Sequence, residues 1–412
     1  MRIGRMSTSE QAFLGDLPQE LIDNIVDEVR NSKISLKRCS LVSKAFKTST
    51  DRHLFRSLVI NGFAPRDRNL EGLIDFLDRS PHIRPCIRRL QFIGIEGYEH
   101  RDLDILTEFR PPIDPSMLVA LHSRLPYLHT LLLEQIRFAE VESSTIKHLS
   151  STRNPTVSLS ELQMRSIGCH DENAWNRFLA VLGCFQSLDR LSMEEFVAPT
   201  PKHMSLQELC SSFSSNILRI RSLYLKSFKG TTFVLSVFRH ILSLEHLEEL
   251  SVLCRTDEEV LEYGLFIQAS PNLRHIEFDI SRPFLTTLGV EPIIHRDRLH
   301  VETLTSLESI HLLLRVYSVP GLNYEVIFSS ALDILSSLPP STSQIILHIR
   351  GSSDVFIKTE SILEQSMDWD RFISIANKLC RLERITFEVR GYRNEAHPEE
   401  TLKIFEELLI RV

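Results

Sequence analysis

A short apolar segment of the form L-x-x-L-x-L recurs along most of this 412-residue chain. Its copies fall at residues 87–92, 128–133, 159–164, 188–193, 220–225, 247–252, 273–278, 307–312 and 382–387, with a looser tenth at 344–349. From Leu90 to Ile385 is 295 residues in nine steps, a mean near 33, with single steps from 26 to about 40. A period of this size marks stacked repeats. One strand and one helix cannot bury an apolar face alone, so each copy needs its neighbours.

Within each copy the apolar residues alternate with period two, the spacing of a strand. The competing reading is a helical solenoid in which these segments are helix ends. Between the copies, apolar residues three or four apart predict helices over 70–77, 117–125, 175–185, 233–244, 260–269, 326–338 and 371–382. Pro126 and Pro271 precede Leu128 and Leu273, where a proline ends the helix and a strand can begin. If Leu90, Leu131, Leu162 and their equivalents point inward, the residues after them line the opposite, concave face. That row is Gln91, Leu132, Gln163, Ser192, Tyr224, Ser251, Glu277, His311 and Thr386. It is mixed polar with one aromatic, which suits protein recognition. A solvated face with no partner is the plainer alternative. Insertions at 94–115, 138–156, 281–300 and 351–368 interrupt the rhythm, and 399–412 reads as a capping helix.

Residues 1–60 follow a different rule. They hold 10 basic and 7 acidic residues, net +3, whereas the remainder holds 37 and 47, net −10. Asp16 can cap a first helix, with Pro18 in its first turn. Leu21, Ile22, Ile25, Val26 and Val29 give that helix an apolar face. Leu36, Cys39, Val42 and Phe46 mark a second helix, and a third spans 49–55 before the β-branched Val59-Ile60. Three short helices are too small to bury all their apolar residues among themselves, so part of that surface is expected to meet a partner or the next domain.

The stretch Leu17-Pro18-Gln19-Glu20-Leu21-Ile22-Asp23-Asn24-Ile25, then Leu36-Lys37-Arg38-Cys39-Ser40-Leu41-Val42-Ser43-Lys44-Ala45-Phe46, then His53-Leu54-Phe55-Arg56, resembles an F-box, in particular those of the large fungal F-box families. The likeness covers about 45 residues of the 412. It implies docking on the small Skp-family adaptor of a cullin-RING (SCF) ubiquitin ligase. Leu17, Pro18, Leu21, Ile22, Ile25, Leu36, Cys39, Leu41, Val42, Ser43 and Phe46 would carry either the fold of the module or that contact. The strand–helix repeats in turn resemble a leucine-rich repeat (LRR) array. They depart from the family pattern in step length, and in lacking the Asn that follows L-x-L, where Ile136, Phe196 and Phe228 stand instead.

The expected architecture is therefore α/β. A flexible stretch at 1–13 and a three-helix F-box-like module at 14–60 precede an irregular LRR-like solenoid of strand–helix repeats at 61–412. The expected role is a non-catalytic substrate-recognition subunit, with a cullin reached through the adaptor and a target protein held on the concave row. An interaction scaffold outside ubiquitin ligation is the alternative.

Other chemistry finds little support. Glycine is scarce, 14 residues, and neither GxGxxG nor GxxxxGK[ST] occurs. His295-Arg296-Asp297 mimics a kinase triplet, but the Asn that motif needs five residues after the Asp is Glu302. Cys169-His170 are neighbours in sequence only. His246, His275, His311 and His348 lack metal-ligand spacing. No metal, cofactor, nucleic acid or membrane is expected, and the basic residues 33–56 read as solvated helix surface. Seven widely spaced cysteines and no apolar leader point to a reducing compartment, cytoplasm or nucleus.

Overall fold

The computed structural model describes residues 17–62, 69–94, 111–138, 158–167, 172–196, 205–211, 218–226, 231–254, 256–280, 298–316, 324–351 and 365–391. The chain divides into two compact units, residues 1–149 with 159–167, and residues 150–158 with 168–412.

The first unit opens with α1 (Gln19–Glu28), α2 (Lys33–Cys39) and α3 (Lys44–Leu54). Pro18 stands just ahead of α1 rather than in its first turn. Its extended backbone (ψ 143°) turns the chain in, and its carbonyl accepts from the amides of Leu21 and Ile22 at 3.0 and 3.2 Å. Asp16 lies outside the described residues. Ser32 and Ser43 cap α2 and α3, accepting from the Ser35 and Phe46 amides. α1 and α2 both pack on α3. Ile22, Val26, Leu36 and Phe46 close the small core between them, with Leu17, Val29, Cys39, Ala45 and Leu54 packed against it.

β1 (Ser57–Asn61) leaves the module and becomes the edge of a parallel sheet. There follow α4 (Leu70–Arg79), β2 (Arg89–Ile93), β3 (Pro112–Ile113), α5 (Pro115–Arg124), β4 (Thr130–Glu134), β5 (Arg137–Phe138) and β6 (Ser158–Arg165). β1, β2, β4 and β6 pair in that order, with Leu58, Leu90, Leu131 and Leu162 in one register. β3 and β5 form a separate short pair. Parallel strands cannot be joined by a tight hairpin, so each connection is a crossover: α4 lies between β1 and β2, and α5 between β2 and β4. On that helical side Asp78 of α4 accepts two hydrogen bonds from Arg124 of α5, at 2.8 and 2.9 Å, and one from Arg84 at 2.7 Å.

The second unit repeats the rule. Its elements are α6 (Glu172–Gly183), β7 (Ser187–Glu194), α7 (Leu206–Ser211), β8 (Arg219–Lys226), α8 (Thr231–Ile241), β9 (Glu249–Leu253), α9 (Asp257–Gln268) and β10 (His275–Asp279). β11 (Ser309–Val316), α10 (Tyr324–Ser336), β12 (Gln344–Gly351), α11 (Trp369–Lys378) and β13 (Arg384–Gly391) complete it. β7 to β13 pair in parallel in chain order. Leu191, Leu223, Leu250, Ile276, Ile310, Ile345 and Ile385 fall in one line across them. The looser tenth copy is thus a full strand, and the helical-solenoid alternative is excluded. Each helix expected between the repeat copies is present, with α7, too short to show a period, in addition. In the front module α2 ends at Cys39, so Phe46, expected on it, lies on α3, which starts at Lys44. Trp175 and Phe178 meet edge-on at 5.8 Å, and Phe178 meets Phe196 at 5.0 Å, filling the layer between helices and strands.

The missing Asn has a structural counterpart. Ile136, Ile167 and Phe196 occupy that place and are buried. Each follows a residue in the left-handed region, Gln135, Ser166 and Glu195, with φ of 52°, 52° and 55°. The turn directs the Gln135 amide to the Arg165 carbonyl at 2.9 Å and the Glu195 amide to that of Lys226 at 3.0 Å. An apolar side chain therefore seals the strand end where the repeat pattern it resembles has an asparagine. At the matching place after β2 stands Gly94, where a Cβ would fall 1.7 Å from the Gln135 carbonyl oxygen. Phe228 and the 399–412 helix lie outside the described residues, as does most of the four insertions; residues 111–115 of the first supply β3 and the start of α5.

Because the inward leucines hold both layers together, Leu162→Ala should destabilise the protein by ~2–5 kcal/mol. Leu41→Ala, at a position 86% exposed, should stay within ~0.5 kcal/mol of wild type. Urea unfolding followed by circular dichroism compares the two.

Candidate interaction surfaces

The three-helix module sorts its apolar residues into two sets. Of those expected to carry either the fold or a contact, Ile22, Leu36 and Phe46 are buried and serve the fold. Leu17 and Cys39 pack on that core part-way, and Ser43 is the cap of α3. Leu17, Cys39 and Ser43 stay part-exposed. Pro18, Leu21, Ile25, Leu41 and Val42 remain on the outside. Leu21 and Ile25, one helical turn apart on α1, are 48% and 45% exposed, and Val42 is 49% exposed. Ile34, which the motif did not single out, is 68% exposed.

Polar groups fix the face that carries this surface. Ser49 of α3 and Gln19 of α1 both donate to Asp23, and Gln19 also donates to Ser49 at 2.7 Å. These hydrogen bonds, Ser49 foremost, hold the Asp23 carboxyl below its ordinary range, with Arg52 nearby at 3.5 Å. His53 reaches Asp27 at 3.0 Å. α1 is thereby pinned to α3 in the rotation that leaves Leu21 and Ile25 outward.

On the sheets, the row expected from alternation exists in the backbone register. Val59, Gln91, Leu132 and Gln163 are aligned in the first unit. Ser192, Tyr224, Ser251, Glu277, His311, Ile346 and Thr386 are aligned in the second. Two members are not open to solvent as expected. Leu132 is 4% exposed and lies between the longer amides Gln91 and Gln163. Ser251 is 3% exposed because its short side chain sits between Tyr224 and Glu277. Ile346, absent from the motif-based row, takes its place between His311 and Thr386.

The second unit concentrates charge on this face. Glu249 accepts from Tyr224 at 2.8 Å and from Ser222 at 2.9 Å, while the Arg190 guanidinium lies 4.5 Å from the Tyr224 ring centre. Burial, then the bond to Glu249, pushes the Tyr224 hydroxyl up to about 12. Burial opposes ionisation of Glu249, but the bonds from Tyr224 and Ser222 outweigh it and hold its carboxyl low. Glu277 is lowered to about 2, chiefly by the hydrogen bond from His311, then by Lys226 at 3.7 Å. His311 stacks on His348 with ring centres 5.7 Å apart. His275 meets Ser309 at 2.7 Å, and His246 meets Ser243 at 2.8 Å.

Among the described residues no group of three or more His, Cys, Asp or Glu could hold a metal, and no helix is long and apolar enough to cross a membrane. Cys169-His170 and His295-Arg296-Asp297 lie outside the described residues.

In each unit, then, L-x-x-L-x-L segments form a parallel ladder returned by helices: the protein is an α/β strand–helix repeat protein of LRR-like architecture. No protein-family model matches the chain, and no curated protein matches it. Among solved structures, the leucine-rich repeat-containing protein LegL7 from Legionella pneumophila is similar over 85% of this chain and 96% of its own. The identity is 10% and the TM-score 0.37.

A pH dependence follows from Glu277. A carboxyl lowered in the folded state adds stability above its ordinary value of 4.5, and that stability is lost as pH falls towards about 2. Glu277→Gln should lower the thermal midpoint at pH 6. The gap to wild type should close as pH falls through that window, as read by circular dichroism melting.

Proposed function

We propose that the chain is a non-catalytic receptor of an SCF-type ubiquitin ligase. The three-helix module docks on a Skp-family adaptor, and through it a cullin, while the repeat arrays hold a target protein. The observation that carries this reading is the surface of the module. Its core is closed by Ile22, Val26, Leu36 and Phe46, yet Leu21, Ile25, Ile34, Leu41 and Val42 stay exposed. Full burial of one such side chain contributes ~1.5–3 kcal/mol, so leaving five out on so small a module is costly unless a partner covers them. The F-box likeness supplies the partner: Leu21 and Ile25 fall within its first segment, and Leu41 and Val42 within its second.

The polar row supports the second half. In each unit the row, Gln91 and Gln163 in the first and Ser192, Tyr224, Glu277, His311 and Thr386 in the second, is a part-exposed polar strip rather than a greasy patch. Such a strip fits selective recognition of a polypeptide. Chemistry on the bound target is then left to the ligase, and the receptor contributes proximity.

Leu21→Asp with Ile25→Asp should weaken adaptor binding by about 2 kcal/mol or more per site. The melting midpoint should stay near that of wild type, since both residues are outward. Ile22→Asp, inside the core, should unfold the module instead. Calorimetric titration with purified adaptor and parallel melting curves separate the outcomes. Unchanged affinity in the folded double variant overturns the reading.

A further inference from the structure

In the first unit, an open cleft of about 1370 Å³ lies beside α1, α3 and the starts of β1, β2 and β4. Lys33, Arg52, Arg56, Arg88 and Arg89 line it, against two carboxylates, Asp23 and Asp27. Both carboxylates are already answered. Asp23 is held by Ser49, Gln19 and Arg52, and Asp27 by His53. Arg88 rests on the Tyr127 ring at 4.5 Å and donates to the Tyr127 carbonyl. Lys33, Arg56 and Arg89 have no side-chain partner among the described residues.

The placement of these cations is costly. Arg56 and Arg88 take the same place in successive copies, immediately before β1 and β2. Neighbouring strands lie ~4.8 Å apart, and like charges side by side on a ladder repel. The second unit avoids this at the same place in its copies. There Arg221 pairs with Glu248 at 3.0 Å, and Arg274 with Glu308 at 3.5 Å. The first unit keeps the arginines and omits the acids.

We infer that this cleft binds a phosphate group carrying at least two negative charges, presented either by a phosphorylated side chain of a peptide or by a soluble phosphate compound. A multiply charged anion offsets several cations at once. The planar guanidinium forks of Arg56 and Arg89 match phosphate oxygens in pairs. A single-stranded nucleic acid is the less favoured occupant: of the aromatic rings lining the cleft, Tyr127 already carries Arg88 on its face, and the imidazoles of His53 and His129 are engaged by Asp27 and Ser160. The inference rests on this cleft and does not need the adaptor reading.

The test uses the full chain and calorimetric titration at fixed ionic strength. The probes are inorganic pyrophosphate, a phosphoserine peptide with its unphosphorylated twin, and a short single-stranded oligonucleotide. Saturable binding of pyrophosphate or of the phosphopeptide is expected, and which of the two binds tighter names the source. Arg56→Gln with Arg89→Gln should weaken it at least about tenfold. The control, Arg221→Gln with Arg274→Gln, should leave it unchanged. Should the first pair melt early, wild-type protein gives the readout: pyrophosphate should raise its melting midpoint where chloride at equal ionic strength does not. Absence of saturable binding, undiminished binding by the folded Arg56/Arg89 variant, no midpoint shift, or tighter binding of the oligonucleotide through the same arginines overturns the inference.

Discussion

Burial of the inward leucines in a parallel ladder is the constraint on which both units depend. A parallel strand must have its chain carried back by a crossover before the next strand can pair. Leu90, Leu131 and Leu162 in one unit, and Leu191 through Ile345 in the other, sit in one register and are almost wholly removed from water. Because every copy shares its strand pairing with its neighbours, no single copy can shift by one residue without turning its leucines outward.

That constraint accounts for the departures from a regular array. Step length varies freely because the ladder sets only the strand, and the crossover absorbs the remainder. The strand end is closed by left-handed Gln135, Ser166 and Glu195 followed by buried Ile136, Ile167 and Phe196. A buried asparagine would satisfy backbone groups with its side chain. Here the turn directs main-chain amides to main-chain carbonyls, and an apolar residue fills the space.

The same logic separates the surfaces. Most residues between the inward leucines are less covered than the leucines themselves, so they carry polar and charged groups such as Tyr224, Glu249, Glu277 and His311. On the front module the polar ties among Gln19, Asp23, Ser49 and Arg52 choose the rotation of α1. Leu21 and Ile25 are left outward as a consequence of that choice, while their neighbour Ile22 is sealed. The cleft beside the first strands arises where like-charged residues of successive copies are brought level by register, which no single copy reveals.

The strands, their parity, the helices returning between them and the polar row were legible in the residues alone, because periods of two and 3.6 are properties of local backbone geometry. Leu90 and Gln91 must face opposite ways wherever the strand lies. What the tertiary structure decided is how much each face is covered. Leu132 and Ser251 share the parity of Gln91 and Tyr224 yet are buried, and Leu41 is among the most apolar residues of the module yet is bare. Burial depends on which atoms arrive from distant parts of the chain. For the same reason the sequence pattern of the module named eleven residues for fold or contact, and only packing could divide them: the amphipathic spacing of α1 places Leu21, Ile22, Ile25 and Val26 on one broad apolar side, and the approach of α3 determines which part of that side is closed.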